Sequence, residues 1–132
     1  MWMNRWVLIL LIVTVNIVTT MSASTVPDKT CRDHPNLVGK CFTVHGRLAV
    51  YNGSPALRIW RIGTKRMLGV SEQRFAVPGY RNVPEEISSQ VDQDKAIVAE
   101  FLVCPFTKPK QKEMQMVCIE KANNLVVKPR SN

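Results

Sequence analysis

Apolar and polar residues alternate along residues 40–50, which read KCFTVHGRLAV. The apolar positions are Phe42, Val44, Leu48 and Val50, and the polar positions between them are Thr43, His45 and Arg47. Because successive side chains of a strand point to opposite faces, this alternation predicts a strand with one buried face and one solvated face.

Turn residues divide the rest of the chain into further strands. Asn52-Gly53 accepts the positive φ angles of a hairpin turn. Pro55 suits the first position of the next strand, where no ladder donor is needed. The apolar patterns predict strands over residues 56–62, 66–70, 96–106 and 113–122, and a short extended piece over 123–130.

A polar connection of residues 71–95 separates the third predicted strand from the fourth. Pro78-Gly79 marks a turn within it. Pro84 followed by Glu85 is the start signal of a helix, because proline suits the first helical position and acidic side chains favour the helix N-terminus. We therefore expect one short helix that begins at Pro84.

This order of elements predicts a mainly β fold, namely a small five-stranded barrel of the OB type with one short helix. Closing the sheet into a barrel removes exposed strand edges. A β-sandwich or an open β-roll fits the same order of elements and stands as the alternative. Residues 40–132 then form a single β domain, and residues 25–39 form a lead-in that Cys31 pins in place.

The chain begins with the basic residue Arg5, an almost unbroken apolar run over 6–18, and the small residues SAS at 22–24. This is the pattern of a secretory signal peptide over residues 1–24. The apolar run is shorter than the roughly 20 residues that a spanning helix needs. We therefore expect export to the periplasm or the medium, with no stable membrane span after cleavage.

The four cysteines of this chain predict two disulfides, because their number is even and the chain is predicted to be exported. Cys104 and Cys118 lie in the two long predicted strands at equal distances from Gln111 in the connecting loop. In an antiparallel hairpin they face each other, with β-carbons roughly 4.5–5.5 Å apart, close to disulfide range. The predicted pairing is Cys104–Cys118, which leaves Cys31–Cys41 to tie the lead-in to the first strand.

The net charge of the chain is +8, and removal of Arg5 with the signal peptide leaves +7 (8 − 1). A basic exported protein attracts anionic partners such as phosphorylated lipid head groups and acidic glycans. Nucleic acid is a poor candidate partner for an exported protein. The most concentrated basic segment, TKPKQK at 107–112, is interpreted as a solvated loop.

Two cysteine–histidine pairs, Cys31-x2-His34 and Cys41-x3-His45, have spacings that zinc sites use. Export favours disulfides over thiolates. Residues 41 and 45 of one strand also lie about 13 Å apart at 3.3 Å per residue, which is too far for two ligands of one zinc ion. We therefore expect no metal and no cofactor.

His45 also has the chemistry of a general base. The chain carries no Gly-x-Ser-x-Gly, no His-Glu-x-x-His and no glycine-rich phosphate loop to accompany it. No catalytic residue is therefore assigned from the sequence.

Cations and aromatic residues recur around the first turn and the second strand. OB-type barrels hold oligosaccharides or single strands by stacking on aromatic rings that lie between cations. The candidate ligand-binding residues are His45, Arg47, Tyr51, Arg58, Trp60, Lys65 and Arg66. The alternative interpretation is that Trp60 packs in the core and the arginines are solvated.

The most specific pieces of the sequence are His45-Gly46-Arg47-Leu48, Tyr51-Asn52-Gly53, Arg58-Ile59-Trp60 and the hairpin with Cys104 and Cys118. In these pieces the chain resembles a family of small exported proteins of unknown function from Gram-negative bacteria. The resemblance covers most of the mature chain. It implies export and the Cys104–Cys118 pairing, and it transfers no catalytic residue.

Taken together, these features favour an exported, non-enzymatic binding or interaction module. Its expected partner is an anionic envelope glycan or lipid, or another envelope protein. The alternative is a small envelope hydrolase that uses His45 with an acid brought close by folding. Inhibition of lysozyme is disfavoured, because lysozymes are usually basic and a partner at +7 meets repulsion.

Overall fold

A computed structural model describes residues 29–130 and the single residue Val18. The predicted signal peptide and the first lead-in residues, 25–28, lie outside the described residues, apart from Val18. Within the described part, no helix is long and apolar enough to cross a membrane.

The described chain consists of five strands and two short helical turns. The strands are β1 (Phe42–Val50), β2 (Leu57–Arg61), β3 (Met67–Val70), β4 (Lys95–Pro105) and β5 (Gln115–Pro129). The helical turns are a 3₁₀ turn at Cys31–Asp33 and a single α-helical turn, α1, at Glu85–Ser88. The first four strands agree with the predicted ones within two residues at each end.

The five strands form one closed barrel in the order β1-β2-β3-β5-β4. All neighbouring strands are antiparallel except β3 and β5, which run parallel. This is a five-stranded closed sheet of the OB type, with the connection between β3 and β4 carrying the short helix. The predicted OB-like barrel is confirmed, and the sandwich and open-roll alternatives are wrong.

The barrel interior is filled by the apolar side chains that alternate with solvated ones. Along β1, Val44 and Leu48 are buried and His45 is exposed, as the alternation predicted. The core positions contributed by the strands are Val44, Leu48, Ile59, Leu68, Val70, Ile97, Ala99, Phe101, Val103, Val117 and Ile119.

Gly46 lies between the inward positions Val44 and Leu48 of β1. A β-carbon at this position would overlap Cγ2 of Ile59 and lie 3.5 Å from Cδ2 of Phe101. The interior therefore has room for glycine and for no larger residue at this point.

The helical turn α1 packs against the core of the barrel. Ile87 is fully buried and, with Val83, belongs to the same core cluster as the strand residues. The turn is only four residues long, and Pro84 precedes it as the N-cap residue rather than as its first helical residue. The short predicted helix is thus a single turn that carries one buried side chain.

β5 is longer than predicted, because it continues through the segment expected to form a separate extended piece. The second half of β5 pairs with the first half of β4, where Val127 lies opposite Ile97. The register shifts between Val98 and Glu100, and Asn124 adopts a φ of 52° there. Such a bulge bends a strand without ending it.

The predicted disulfide pairing is wrong, although the number of disulfides is confirmed. The structure contains Cys31–Cys118 and Cys41–Cys104 instead of Cys31–Cys41 and Cys104–Cys118. No cysteine of the described chain is free.

The strand register explains the error. Cys104 does lie opposite Cys118 in the β4–β5 ladder. However, β4 has a second neighbour in the closed sheet: Phe42 pairs with Val103, so Cys41 is the next residue to face Cys104. The cysteine of β4 therefore forms its disulfide with Cys41, and the cysteine of β5 forms its disulfide with the lead-in. The two disulfides are close together, because the Sγ atoms of Cys31, Cys104 and Cys118 lie within 4.8 Å of one another.

Removal of either disulfide is expected to destabilise the protein strongly. The bridges close segments with sequence separations of 87 and 63 residues, which corresponds to roughly 4 kcal/mol each in the chain-entropy model. We expect Cys31→Ser/Cys118→Ser and Cys41→Ser/Cys104→Ser each to lower the free energy of unfolding by about 2–4 kcal/mol in urea titrations. A change below about 1 kcal/mol in either variant would contradict this assignment.

Gly46→Ala is expected to lower the free energy of unfolding by about 1–3 kcal/mol, because it overpacks the barrel interior against Ile59. The control is Gly39→Ala, whose β-carbon meets only Cγ of Pro105, at 3.4 Å. Urea titration of both variants checks the difference, and equal stabilities would show that the interior relaxes around the added methyl group.

Candidate ligand-binding groove

Two adjoining cavities form a groove along the loops at β3 and the start of β5. The larger cavity has a volume of about 990 Å³ and is lined by Val38, by residues 53–57, 70–74 and 107–108, and by Lys110, Glu113, Met114 and Met116. The smaller has a volume of about 420 Å³ and is lined by Arg61, by residues 65–68 and by residues 109–115. Both volumes fall within or near the range of ordinary ligand sites.

The two loops that border the larger cavity meet over Gly69 of β3. A β-carbon at Gly69 would lie 2.8 Å from Cγ of Pro55 in the β1–β2 loop and 2.9 Å from Sδ of Met114 in the β4–β5 loop. It would also lie 2.6 Å from Sδ of Met116. The bare backbone of Gly69 therefore allows both loops to approach β3 closely and form an apolar floor.

The charges along the groove are unevenly distributed. The smaller cavity holds five cations and one carboxylate, a formal charge of +4 (5 − 1): Arg61, Lys65, Arg66, Lys110, Lys112 and Glu113. The larger cavity holds three cations and two carboxylates, a formal charge of +1 (3 − 2): Arg74, Lys108, Lys110, Glu72 and Glu113. The smaller cavity is therefore the stronger attractor of anions.

The base of the β4–β5 loop is fixed by hydrogen bonds. The Phe106 N–H donates to the carbonyl of Met116 over 2.8 Å. The Met116 N–H donates to Oγ1 of Thr107 over 2.9 Å, and the side chain of Gln115 donates to the carbonyl of Thr107. These bonds hold the two ends of the loop together below the segment that carries the lysines.

The β2–β3 turn, which carries Lys65 and Arg66, is held by Trp60 and Thr64. Nε1–H of Trp60 donates to the carbonyl of Thr64 over 2.7 Å. Oγ1 of Thr64 donates to the carbonyl of Arg61 and accepts from the N–H of Arg66. Trp60 is half-buried and its ring nitrogen is occupied within the chain, so it positions the basic turn.

Only Lys65 and Arg66 of the seven predicted ligand-binding residues line the two cavities. Tyr51 instead lies at the start of the β1–β2 loop, where the guanidinium groups of Arg58 and Arg130 approach its ring at 5.3 and 5.4 Å. Nε of Arg58 also donates to the carbonyl of Pro55 over 2.9 Å. Tyr51 and Arg58 thus brace the loop that forms one wall of the groove.

His45 and Arg47 lie on the outer face of β1, away from the groove lining. Nδ1 of His45 is 2.6 Å from Oε1 of Glu100, its cross-strand neighbour on β4. The two side chains are 54% and 39% exposed. Folding therefore brings an acid to His45, but on an open strand face that neither cavity of the groove includes.

His34 is buried and forms its contacts within the fold. Its Nδ1 accepts from the N–H of Asn36, so Nε2 carries the proton that is donated to the carbonyl of Phe75 at 2.8 Å. Its buried ring packs edge-on against Phe106 at 4.6 Å. Cys31 and Cys41, the other members of the zinc-like spacings, are both engaged in disulfides.

Sequence reasoning missed most of the groove. The sequence pattern interprets the lysines of TKPKQK as a solvated loop. Arg61 and Met114 lie within predicted strands and are not among the candidate ligand-binding residues. The signal that was available is the general tendency of OB-type barrels to bind ligands with the β2–β3 face and the β1–β2 and β4–β5 loops.

Comparison of the chain with protein-family models, with curated proteins and with solved structures finds no match in any of the three. The resemblance to a family of small exported proteins therefore stays a prediction.

Trp60→Phe is expected to leave the protein folded and to lower its free energy of unfolding by about 1 kcal/mol, because the hydrogen bond to Thr64 is lost while most of the ring contact is kept. Urea titration measures the change, and near-ultraviolet circular dichroism checks the fold. A variant that fails to fold would instead place Trp60 among the residues on which the barrel depends.

Proposed function

We propose that this protein is an exported, non-enzymatic binding module that holds an anionic component of the cell envelope in the groove between its β2–β3 turn and its β4–β5 loop. The observation that carries the proposal is the smaller cavity, which is lined by five cations and a single carboxylate. The cations come from the end of β2, from the β2–β3 turn and from the β4–β5 loop. Attraction of this kind steers an anionic ligand to one face of the protein.

The position of the acidic residues also favours approach of an anionic ligand to the groove. Asp92 and Asp94 immediately precede β4, whereas the lysines of the β4–β5 loop follow its end. An 11-residue strand separates these two groups by roughly 30 Å. Because the Debye length at physiological salt is about 8 Å, the acidic segment does not cancel the field at the groove.

Export is proposed from the predicted signal peptide together with the disulfides. Two disulfides are typical of proteins that mature in an oxidising compartment, such as the periplasm or the exterior of the cell. In that compartment the available polyanions are acidic glycans and phosphorylated lipids rather than nucleic acid, so one of these is the proposed ligand.

A second candidate function is hydrolysis with His45 as general base. The contact that favours it is the 2.6 Å separation between His45 and Glu100, in which the carboxylate can orient the imidazole. Substrate-binding sites are normally concave, whereas this pair is exposed on an outer strand face. Binding is therefore preferred over hydrolysis.

Lys65→Glu/Arg66→Glu is expected to weaken binding of a sulfated oligosaccharide, and of vesicles rich in phosphatidylglycerol, by at least about tenfold. Each cation near an anionic surface contributes about 1 kcal/mol, and the substitutions replace attraction with repulsion. Fluorescence titration of the oxidised protein at about 0.15 M salt, followed by titration at higher salt, measures the loss.

The matched control is Lys121→Glu/Lys128→Glu, which makes the same change in net charge on β5, outside the groove lining. We expect less than about a threefold loss in this variant, because distant charges are screened. Equal losses in the two variants would show that net charge alone, rather than the groove, attracts the ligand. His45→Gln should leave binding unchanged.

A further inference from the structure

The floor of the larger cavity is apolar. The partly exposed side chains of Pro55, Leu57 and Met114 line it, and the contacts around Gly69 place the proline ring and the methionine sulfur side by side over β3. Val38 lines the same cavity and is 46% exposed. A surface of this kind gains free energy when an apolar ligand covers it, at roughly 25 cal/mol per Å².

The larger cavity adjoins the basic cavity. Lys110, Glu113 and Met114 line both, so a ligand that lies across these three residues reaches both cavities. The formal charge falls from +4 in the smaller cavity to +1 in the larger. Such a ligand meets an excess of cations at one end. At the other end it meets methionine, proline and valine side chains beside a nearly balanced set of charges.

We infer that the ligand is a phosphorylated amphiphile, bound as a single molecule with its phosphate in the basic cavity and an alkyl chain along the apolar floor. This inference rests on the proposed function and narrows it, because it selects a lipid over a glycan. A glycan would cover the apolar floor with hydroxyl groups and gain little there. Methionine also adapts its shape to flexible apolar ligands, which suits the position of Met114.

The test compares two ligands that carry the same phosphate chemistry. Glycerol 3-phosphate has no alkyl chain, whereas dihexanoyl phosphatidic acid has two and stays monomeric below its micelle-forming concentration. Titration of the oxidised, isotope-labelled protein by NMR gives both dissociation constants and identifies the amides that shift. We expect the amphiphile to bind at least about thirtyfold more tightly, since each buried methylene contributes roughly fourfold, with the largest shifts at residues 110–114.

Val38→Asn/Met114→Gln is expected to remove most of this gain, to within about fivefold of the affinity for glycerol 3-phosphate, because it makes the floor polar without changing the charge. The control is Val126→Asn/Val127→Asn, which replaces two exposed valines of β5 and should keep the gain. Lys65→Glu/Arg66→Glu is expected to weaken both ligands by a similar factor.

The outcomes separate the two proposals. If the alkyl chains add less than about threefold, or if the control variant loses as much as Val38→Asn/Met114→Gln, the inference of an amphiphile is overturned while the basic groove stands. If the sulfated oligosaccharide, anionic vesicles and both phosphate ligands all bind the Lys65→Glu/Arg66→Glu variant as well as they bind the natural protein, the proposed function is overturned as well.

Discussion

The structure depends on one covalent junction, where two disulfides meet at the end of the β4–β5 hairpin. Cys104 and Cys118 face each other in that hairpin, but one bonds to Cys41 at the start of β1 and the other to Cys31 in the lead-in. The four cysteines join three separate parts of the chain with Phe106 and Met116 in one buried cluster. Because a barrel of this size has a small core, such crosslinks supply a large share of its stability.

The same junction determines where the charged loops lie. The β4–β5 loop leaves the barrel just after Cys104 and returns just before Cys118, so the disulfides fix both of its ends. Its base is tightened further by the hydrogen bonds of Phe106 and Thr107. A loop rich in lysine would spread if it were unrestrained, since like charges repel. Here its two ends are held together, and its lysines line one cavity with the basic residues of the β2–β3 turn.

The predicted ligand-binding residues divide into those that hold loops in place and those that line the groove. Tyr51, Arg58 and Trp60 form contacts within the chain and hold the loops in place, whereas Lys65 and Arg66 point into the groove. An aromatic residue between cations is typical of a stacking surface, but the same composition also braces a loop through cation–π contacts and a tryptophan hydrogen bond. Only the partners of each side chain distinguish the two.

Local alternation and turn residues predict the first four strands, and the spacing of Cys104 and Cys118 predicts the register of the β4–β5 hairpin. The same patterns fit a barrel, a sandwich or an open roll, so closure of the sheet is a property of the tertiary structure. The tertiary structure alone decided the disulfide partners and the groove. A strand in a closed sheet has two neighbours, and the sequence reveals only the neighbour across the turn. Likewise, Arg61 lies far along the chain from Lys110 and Met114, and the parallel pairing of β3 with β5 brings it to them, a long-range contact that no local pattern encodes.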